Sequence, residues 1–265
     1  MKQIFLFTLI FFLPIIAICQ IDIQKPFHDC GFAGSITIFD YNQNRWVLND
    51  STDSELEEVP ASTFKIINLL IALETGVIKD ENDMVKWVGT IDTAVYGYRP
   101  STYKDMTVKE AFEVSAGWVF IELAKKVGKE RYLEYLRACD YGNKEVSDEA
   151  DFWNFGPLLI SPKNQVNFLI NAYESNLPFS KRNLAILKRV MVTEKTDDYT
   201  IYSKTGWGKR NGKDIGWWVG YVERNKNIYF FATRIVKNQN DKSKNFQACR
   251  IEITKQILKG LGFIE

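Results

Sequence analysis

The chain has 265 residues, of which 46% are hydrophobic and 25% charged, and its 34 basic and 33 acidic side chains leave a formal net charge of +1. This composition is typical of a globular protein with a substantial core. The basic residues are scattered along the sequence, so we expect no nucleic-acid partner, which would require a concentrated basic surface.

The amino-terminal stretch has the pattern of an export signal. Lys2 precedes an apolar run over residues 4–18, which is short for a membrane span of about 20 residues. Small residues then lead to a cleavage point after Cys19. The sequence predicts a signal peptide over 1–19 and a periplasmic or secreted protein with no membrane attachment after cleavage. A lipoprotein signal at Cys19 and an uncleaved anchor are the alternatives.

The remaining cysteines and the single histidine restrict the chemistry. Cys30, Cys139 and Cys249 form an odd, widely spaced set without a CxxC pair. This spacing is neither a disulfide framework nor a metal site, so we expect buried free thiols and at most one bridge. His28 lies near the mature amino terminus, so a hydrolase of this sequence is expected to use a base other than histidine.

Secondary structure can be predicted along most of the chain. GSITIFD, the turn YNQN and RWVLN predict a β-hairpin. Residues 62–75, apolar all round and ended by Gly76, predict a buried helix. The middle of the chain, from about 79 to 195, has helical periodicity, notably in TVKEAFEVSAGWVFIELAKKVG and ISPKNQVNFLINAYES. YTIYSKTG, GWWVGYVER and NIYFFATRIV predict strands, and an amphipathic helix over about 246–260 follows.

Strands at both ends and helices between them indicate an α+β fold. The amino- and carboxyl-terminal strands are expected to form one antiparallel sheet, flanked by helices and packed beside a helical middle lobe. No repeat or linker interrupts residues 20–265, which predict a single domain with two lobes.

The buried helix begins with Ser62 and, one turn later, Lys65. Residues three apart on a helix face the same way, so the hydroxyl and the amine are expected within hydrogen-bond reach. Burial disfavours the charged amine and lowers its pKa, so Lys65 can act as a base towards Ser62. Ser101 and Lys104 repeat the spacing in a polar loop, so only the first copy has an apolar setting.

Two further features carry suitable chemistry. Ser115 lies in EVSAG, within the helical middle. Lys204, Thr205 and Gly206 are predicted to end a strand before a glycine-rich turn, where they would offer a cation, a hydroxyl and a close approach to substrate. Singly, these are an ordinary helical serine and an exposed strand lysine. Together with Ser-x-x-Lys they form the ordered set of penicillin-interactive serine enzymes.

Additional motifs bring the sequence close to one family. PASTFKI with ALETG, YGN at 141–143, FWNFGPLLISPKNQVNFL at 152–169, VTE at 192–194, SKTGWG, GWWVGYVE at 216–223 and Arg250 closely resemble class D (oxacillinase-type) serine β-lactamases. The resemblance runs from about residue 26 to the carboxyl terminus. It implies the β-lactamase/transpeptidase-like fold and hydrolysis of the β-lactam ring of penicillin-type antibiotics, which would confer resistance.

The resemblance also implies catalytic roles. Ser62 would be the nucleophile that forms the acyl-enzyme. Lys65 would react with carbon dioxide to give N6-carboxylysine, the general base for acylation and deacylation. Trp153 would donate a hydrogen bond to this carbamate. Ser115 would relay a proton to the lactam nitrogen, with Lys204 tuning the local field.

Other positions match the family's binding groups. The backbone N–H groups of Ser62 and Trp207 match its oxyanion hole. Thr205, Gly206 and Arg250 match substrate-binding groups, Arg250 by charge-assisted pairing with a carboxylate. The implied partner is a small-molecule β-lactam, with no metal and no cofactor beyond carbon dioxide or bicarbonate. The protein is expected to be a monomer or a homodimer.

One position departs from the family pattern. The family usually has Ser-x-Val where this chain has Ser115-Ala116-Gly117. The valine presents an apolar wall over the carboxylated lysine, and glycine removes it unless Trp118 or another neighbour fills the space. We therefore expect Lys65 to be carboxylated but to lose the modification more readily.

Three alternatives share the serine and lysine motifs. The first is a β-lactam sensor domain that is acylated once, and the second is a penicillin-binding peptidase acting on cell-wall peptides. The third is an inactive homologue, which only Gly117 supports.

Overall fold

An antiparallel sheet built from both ends of the chain forms the centre of the molecule. The computed structural model describes residues 21–243 and 245–265, so the predicted signal peptide over 1–19 lies outside the described residues. The strands are β1 (Ala33–Asp40), β2 (Arg45–Leu48), β3 (Met84–Val85), β4 (Met106–Thr107), β5 (Val192–Lys195), β6 (Tyr199–Arg210), β7 (Lys213–Arg224) and β8 (Asn227–Asn238). Six of the described strands form the main sheet in the order β2-β1-β8-β7-β6-β5, while β3 pairs with β4.

Helices cover both faces of this sheet. They are α1 (Lys25–Cys30), α2 (Ser51–Glu55), α3 (Lys65–Glu74), α4 (Thr93–Tyr96), α5 (Val108–Glu113), α6 (Gly117–Val127), α7 (Lys129–Ala138), α8 (Pro162–Tyr173), α9 (Lys181–Val190) and α10 (Phe246–Gly260). Short 3-10 helices lie at Ala61–Phe64 and Pro100–Thr102. Among the described residues, no helix combines the length and apolar character needed to cross a membrane.

Strand β7 shows why the sheet needs helices on both faces. Successive side chains of a strand point to opposite sides. Trp217 and Val219 pack in the core shared with α3 and α6, whereas Trp218 and Val222 pack in the core shared with α1 and α10. Because both sets are buried, the strand is a nearly continuous apolar run rather than an alternating one.

The predicted α+β fold is confirmed. The hairpin of β1 and β2 joins the carboxyl-terminal strands through β8, with Ser35 opposite Arg234 in the antiparallel register. The carboxyl-terminal helix also has its predicted bounds. The buried helix ends as predicted, with Gly76 at a φ of 72°.

The position of the Lys-Thr-Gly motif was predicted incorrectly. Lys204, Thr205 and Gly206 do not end a strand, because β6 continues to Arg210 and stays paired with β7 throughout. The connection is only Asn211-Gly212, with φ angles of 49° and 73°. Such left-handed pairs favour a two-residue hairpin turn, so most of WGKRNGKDIG is strand.

The expectation of free thiols was wrong for two of the three cysteines. Cys30 on α1 and Cys249 on α10 form a disulfide across 219 residues of sequence, while Cys139 is free and buried. Spacing in the sequence could not reveal this pair, because only the packing of α1 against α10 brings the two cysteines together. The bridge fastens the amino-terminal helix to the helix that carries Arg250.

We expect loss of this bridge to destabilise the protein. Replacing both cysteines in Cys30→Ala/Cys249→Ala should lower the free energy of unfolding by about 2–5 kcal/mol, because the unfolded chain gains conformational entropy. Chemical denaturation with and without a thiol reductant measures the change. The reductant should destabilise the wild type and leave the double variant unaffected; equal stabilities in all four samples would contradict a stabilising role.

Candidate active site

Ser62 is presented on a tight turn ahead of the buried helix. The buried helix was predicted to start at Ser62, but α3 begins at Lys65, and Ala61–Phe64 form a 3-10 helix before it. Ala61 has a φ of 48°, unusual for a residue with a side chain. Its N–H donates to the Trp153 carbonyl at 3.1 Å, which fixes the turn. The Ser62 N–H lies in the first helical turn, where backbone donors have no intrahelical partner.

Lys65 is buried beside the serine hydroxyl. Its Nζ lies 2.9 Å from Ser62 Oγ and 5.3 Å from the centre of the Phe120 ring, and the residue is 1% exposed. Burial and, to a smaller extent, the positive charge of Arg99 together lower the pKa of Lys65 to about 7. A substantial fraction of this amine is therefore neutral near pH 7.

The second Ser-x-x-Lys copy provides an internal comparison. The Lys104 side chain is 58% exposed and pairs with Glu110 at 2.8 Å. The same sequence spacing therefore gives a buried amine in one copy and a solvated, ion-paired amine in the other.

Ser115 lies at a break between two helices, not inside one helix as the periodicity suggested. Helix α5 ends with the bonds of a Schellman motif: Ser115 N–H donates to Phe112 and Ala116 N–H donates to Ala111, at 3.2 and 2.8 Å. Ser115 takes the left-handed position with a φ of 57°, which usually belongs to glycine. The conformation costs about 1–3 kcal/mol for such a residue.

This turn directs Ser115 towards the central sheet. Lys204 Nζ donates to Ser115 Oγ at 3.0 Å and to the Thr205 carbonyl at 3.1 Å. Lys204 is buried rather than exposed, and burial together with the charges of Lys65 and Arg250 holds its pKa well below the usual value. The site therefore contains two hydroxyl–amine pairs, Ser62–Lys65 and Ser115–Lys204.

Gly206 has a packing role that the sequence did not indicate. A Cβ atom at this position would lie 3.0 Å from both the Pro60 carbonyl oxygen and Thr63 Cγ2. The glycine thus lets β6 approach the turn that carries Ser62, whereas the sequence analysis assigned it to substrate approach.

Arg250 reaches the same strand from α10. Its Nη1 donates to the Gly206 carbonyl, and its Nε has no hydrogen-bond partner among the described residues. Burial lowers the pKa of Arg250 to about 10, so the guanidinium stays charged at neutral pH. Thr205 is half-buried beside it on β6, and the exposed Trp207 donates its indole N–H to Asp214 at 3.1 Å.

Trp153 presents a buried donor without an acceptor. Its ring stacks on Phe64 with centroids 4.8 Å apart, which places it against the residue before Lys65. Within the described part of the chain its indole N–H has no hydrogen-bond partner. A buried unpaired donor is costly. An anionic acceptor formed at Lys65 would satisfy this donor, so these residues fit a carbamate.

Gly117, at the start of α6, has open space around it. Apart from its two chain neighbours and the nearby backbone of α6 itself, no described heavy atom would lie within 4 Å of a Cβ at this position. Trp118 points elsewhere: its indole N–H donates to the Thr102 carbonyl at 2.7 Å, and its ring packs on Trp87. The missing apolar wall is therefore not replaced by Trp118.

The sequence analysis missed Arg99. Its guanidinium donates to the carbonyls of Val114 and Ser115 at 2.6 and 3.2 Å. Arg99 stands in the polar stretch YGYRPSTY, which has no periodicity or motif that could indicate a contact with Ser115. His28, in contrast, is exposed on α1.

Comparison with known proteins identifies the family of the chain. The family model for the penicillin binding protein transpeptidase domain matches residues 38–259. Beta-lactamase OXA-5 of Pseudomonas aeruginosa is 37% identical over 245 residues, covering 91% of this chain and 88% of the relative. Beta-lactamase OXA-10 from the same organism is 39% identical over 224 residues, covering 82% and 79% of the two chains.

A solved structure narrows the classification of the chain from the transpeptidase domain family to one class of β-lactamase. The class D beta-lactamase from Sebaldella termitidis superposes with a TM-score of 0.87 at 39% identity, covering 93% of this chain and 98% of that one. The chain belongs to the class D β-lactamase family. In Ser115-Ala116-Gly117, the stretch that differs from the expected Ser-x-Val, open space surrounds Gly117.

The two glycines of this class D site should respond differently to an added methyl group. Gly206→Ala should lower the free energy of unfolding by about 1–3 kcal/mol, because the new Cβ overpacks the Ser62 turn. Gly117→Ala should leave stability unchanged or raise it by up to about 1 kcal/mol, because the space is open and alanine favours a helix. Denaturant unfolding measures both; equal destabilisation would contradict the packing role of Gly206.

Proposed function

We propose that this protein hydrolyses the β-lactam ring of penicillin-type antibiotics through an acyl-enzyme on Ser62 and thereby confers resistance. The observation that carries the proposal is the Ser62–Lys65 pair, with a nitrogen–oxygen distance of 2.9 Å in a buried setting. A neutral amine in this position can accept the proton of a nucleophilic hydroxyl.

The chain's own residues account for the acylation step. Ser62 Oγ would attack the lactam carbonyl carbon as its proton moves towards the Lys65 side. The carbon–nitrogen bond of the ring then breaks, and Ser115, bonded to Lys204 at 3.0 Å, would deliver a proton to the departing nitrogen. The N–H groups of Ser62 and Trp207 would donate to the oxyanion.

Charged groups at the edge of this arrangement would orient the substrate. β-Lactam antibiotics carry a carboxylate, and Arg250 keeps its positive charge beside Thr205 and Gly206 on β6. A charge-assisted hydrogen bond from the guanidinium would hold that carboxylate. Its Nε, which no group in the described part of the chain accepts from, leaves the guanidinium with donor capacity for this contact.

Deacylation also requires a general base, because the Ser62 proton has already been transferred during acylation. A carbamate on Lys65 would supply a general base for acylation and for activating the hydrolytic water. Two features support it: the amine has a pKa of about 7, and the buried Trp153 indole N–H beside Phe64 has no partner among the described residues. Trp153 would orient the modified side chain through this hydrogen bond.

The same features favour turnover over the alternatives. A sensor domain or a penicillin-binding peptidase would need Ser62 acylation but no efficient second base. In this protein the indole N–H of Trp153, which has no partner among the described residues, could donate to such a base, the carbamate on Lys65. The relatives compared above are β-lactamases by name, which also favours hydrolysis. We take the acylated sensor or peptidase as the competing hypothesis.

Export from the cytoplasm is part of the proposal. A signal peptide over 1–19 is consistent with the disulfide between Cys30 and Cys249, since such bridges persist in oxidising compartments. The mature protein would meet its small-molecule substrate in the periplasm or outside the cell.

Steady-state hydrolysis of a penicillin and a chromogenic cephalosporin tests the function. We expect sustained turnover, which should fall below pH about 7 as Lys65 becomes protonated and should rise there with added bicarbonate. Lys65→Ala should reduce turnover by about 10²–10⁴-fold, as for loss of a general base. Lys104→Ala, from the exposed Ser-x-x-Lys copy, should leave it unchanged.

Mass spectrometry of the reaction separates the competing hypotheses. A stoichiometric burst followed by a stable adduct on Ser62 would replace the hydrolase proposal with a sensor or peptidase. Sustained turnover that ignores bicarbonate from pH 5 to pH 8 would keep the hydrolase and eliminate the carbamate.

Restoring the family's apolar wall should stabilise the modification. In Gly117→Val, the side chain would enter open space on the helix face that also carries Phe120, three residues later, and Phe120 contacts Lys65. We expect less bicarbonate to be needed for half-maximal turnover, because the apolar wall limits access of water to the carbamate. ¹³C NMR with labelled bicarbonate measures carbamate occupancy directly. Unchanged occupancy would contradict our account of Gly117, and Gly117→Ala is the smaller control.

A further inference from the structure

Arg99 closes the turn that carries Ser115. Helix α5 ends at Glu113, and the last carbonyls of a helix lack intrahelical partners. The Arg99 guanidinium donates to two carbonyls of this turn, those of Val114 and Ser115, at 2.6 and 3.2 Å. Arginine can cap a helix end in this way, and its planar fork suits two acceptors at once.

This cap acts where the backbone is under strain. Ser115 occupies the left-handed position of the Schellman motif without being glycine. The remaining bonds of the motif, from Ser115 to Phe112 and from Ala116 to Ala111, come from the α5 end itself. Arg99 supplies two further contacts to this turn from outside that helix.

The segment around Arg99 also contacts two other parts of the site, one near Ser115 and one near Trp153. The Thr102 carbonyl accepts from the Trp118 indole at 2.7 Å, just beyond the Ser115 turn. Tyr96 donates to Asp151 and packs edge-on against Phe155, and these two residues precede and follow Trp153 in the sequence. The segment that carries Arg99 is therefore held by contacts both to the residues that follow Ser115 and to the residues that flank Trp153.

Arg99 adds a positive charge to an environment that is already cationic. The charged groups that face the reactive amines are Lys65 on α3, Lys204 on β6, Arg250 on α10 and Arg99 itself. After burial, the charge of Arg99 is the cause that lowers the pKa of Lys65, and it contributes in the same direction at Lys204. Arg99 is exposed, so salt should weaken this contribution.

We propose that Arg99 is a positioning residue of this site, whose guanidinium fixes the Ser115 turn opposite Lys204 while its charge acts on the Ser62–Lys65 pair. The inference rests on the proposed β-lactam hydrolysis. It adds a residue outside the serine and lysine motifs, one that touches neither substrate nor reacting atoms.

Two substitutions separate the geometric contribution from the electrostatic one. Arg99→Gln removes the charge and the double contact, whereas Arg99→Lys keeps the charge but replaces the planar fork. We expect both to lower kcat by about 10–100-fold, as small displacements of catalytic groups do. Only Arg99→Gln should move the acid limb of the pH–rate profile to higher pH, because losing a cation raises the pKa of Lys65. Arg131→Gln, an exposed arginine on α7, should behave as the wild type.

A second readout does not depend on hydrolysis. Carbamate formation on Lys65, followed by ¹³C NMR with labelled bicarbonate, should require higher pH in Arg99→Gln than in the wild type or Arg99→Lys. Raised ionic strength should shift the wild type in the same direction, which tests the charge even if Arg99→Gln does not fold.

The results distinguish failure of this inference from failure of the function. Wild-type kcat and pH dependence in Arg99→Gln would overturn the inference while hydrolysis stands. An equal loss in both variants with unchanged pH dependence would also overturn it, since Arg99 would then be merely structural. Absence of turnover in the wild type would overturn the function, and the carbamate titration would still decide the role of Arg99.

Discussion

The site depends on burying the Lys65 amine next to Ser62. An ammonium in this position would lose its hydration without gaining a carboxylate partner, so the folded protein favours the neutral amine. This condition needs an apolar α3, the Phe120 ring on α6 and a wall around Trp153, all supplied by the helical lobe. The large core beside the sheet therefore sets the protonation state of one side chain as well as stabilising the fold.

Two strained turns bring the hydroxyls to their amines. Ala61 and Ser115 both have left-handed φ angles, and each turn is held by a distant group: the Trp153 carbonyl for Ala61 and the Arg99 guanidinium for the carbonyls beside Ser115. The local sequence alone does not favour these conformations, because neither residue is glycine. The strain persists since tertiary contacts over-determine it, which is common where a reactive group must be aimed.

Periodicity and motifs predicted the sheet, the main helices and the Ser62–Lys65 pair, because these depend on patterns within about 15 residues. The features that were missed depend on contacts between distant segments. The Cys30–Cys249 bridge requires α1 to pack on α10, and the packing role of Gly206 requires β6 to meet the Ser62 turn. The break at Ser115 was hidden for another reason: a helical periodicity can continue in sequence across two helices that a single left-handed residue separates.

The lysines and arginines of the site differ in how readily they lose a proton. Lys65, Lys204, Arg250 and Arg99 share one region although the chain as a whole has a formal net charge of only +1. In such surroundings some of these groups must lose their protons, and amines lose them before guanidinium groups do. The two lysines beside serine hydroxyls are thus shifted towards the neutral amine, while Arg250, with a pKa of about 10, remains a cation. Exchanging lysine and arginine at these positions would conserve the charge in the sequence and reverse the chemistry, which is why the residue types matter as much as their number.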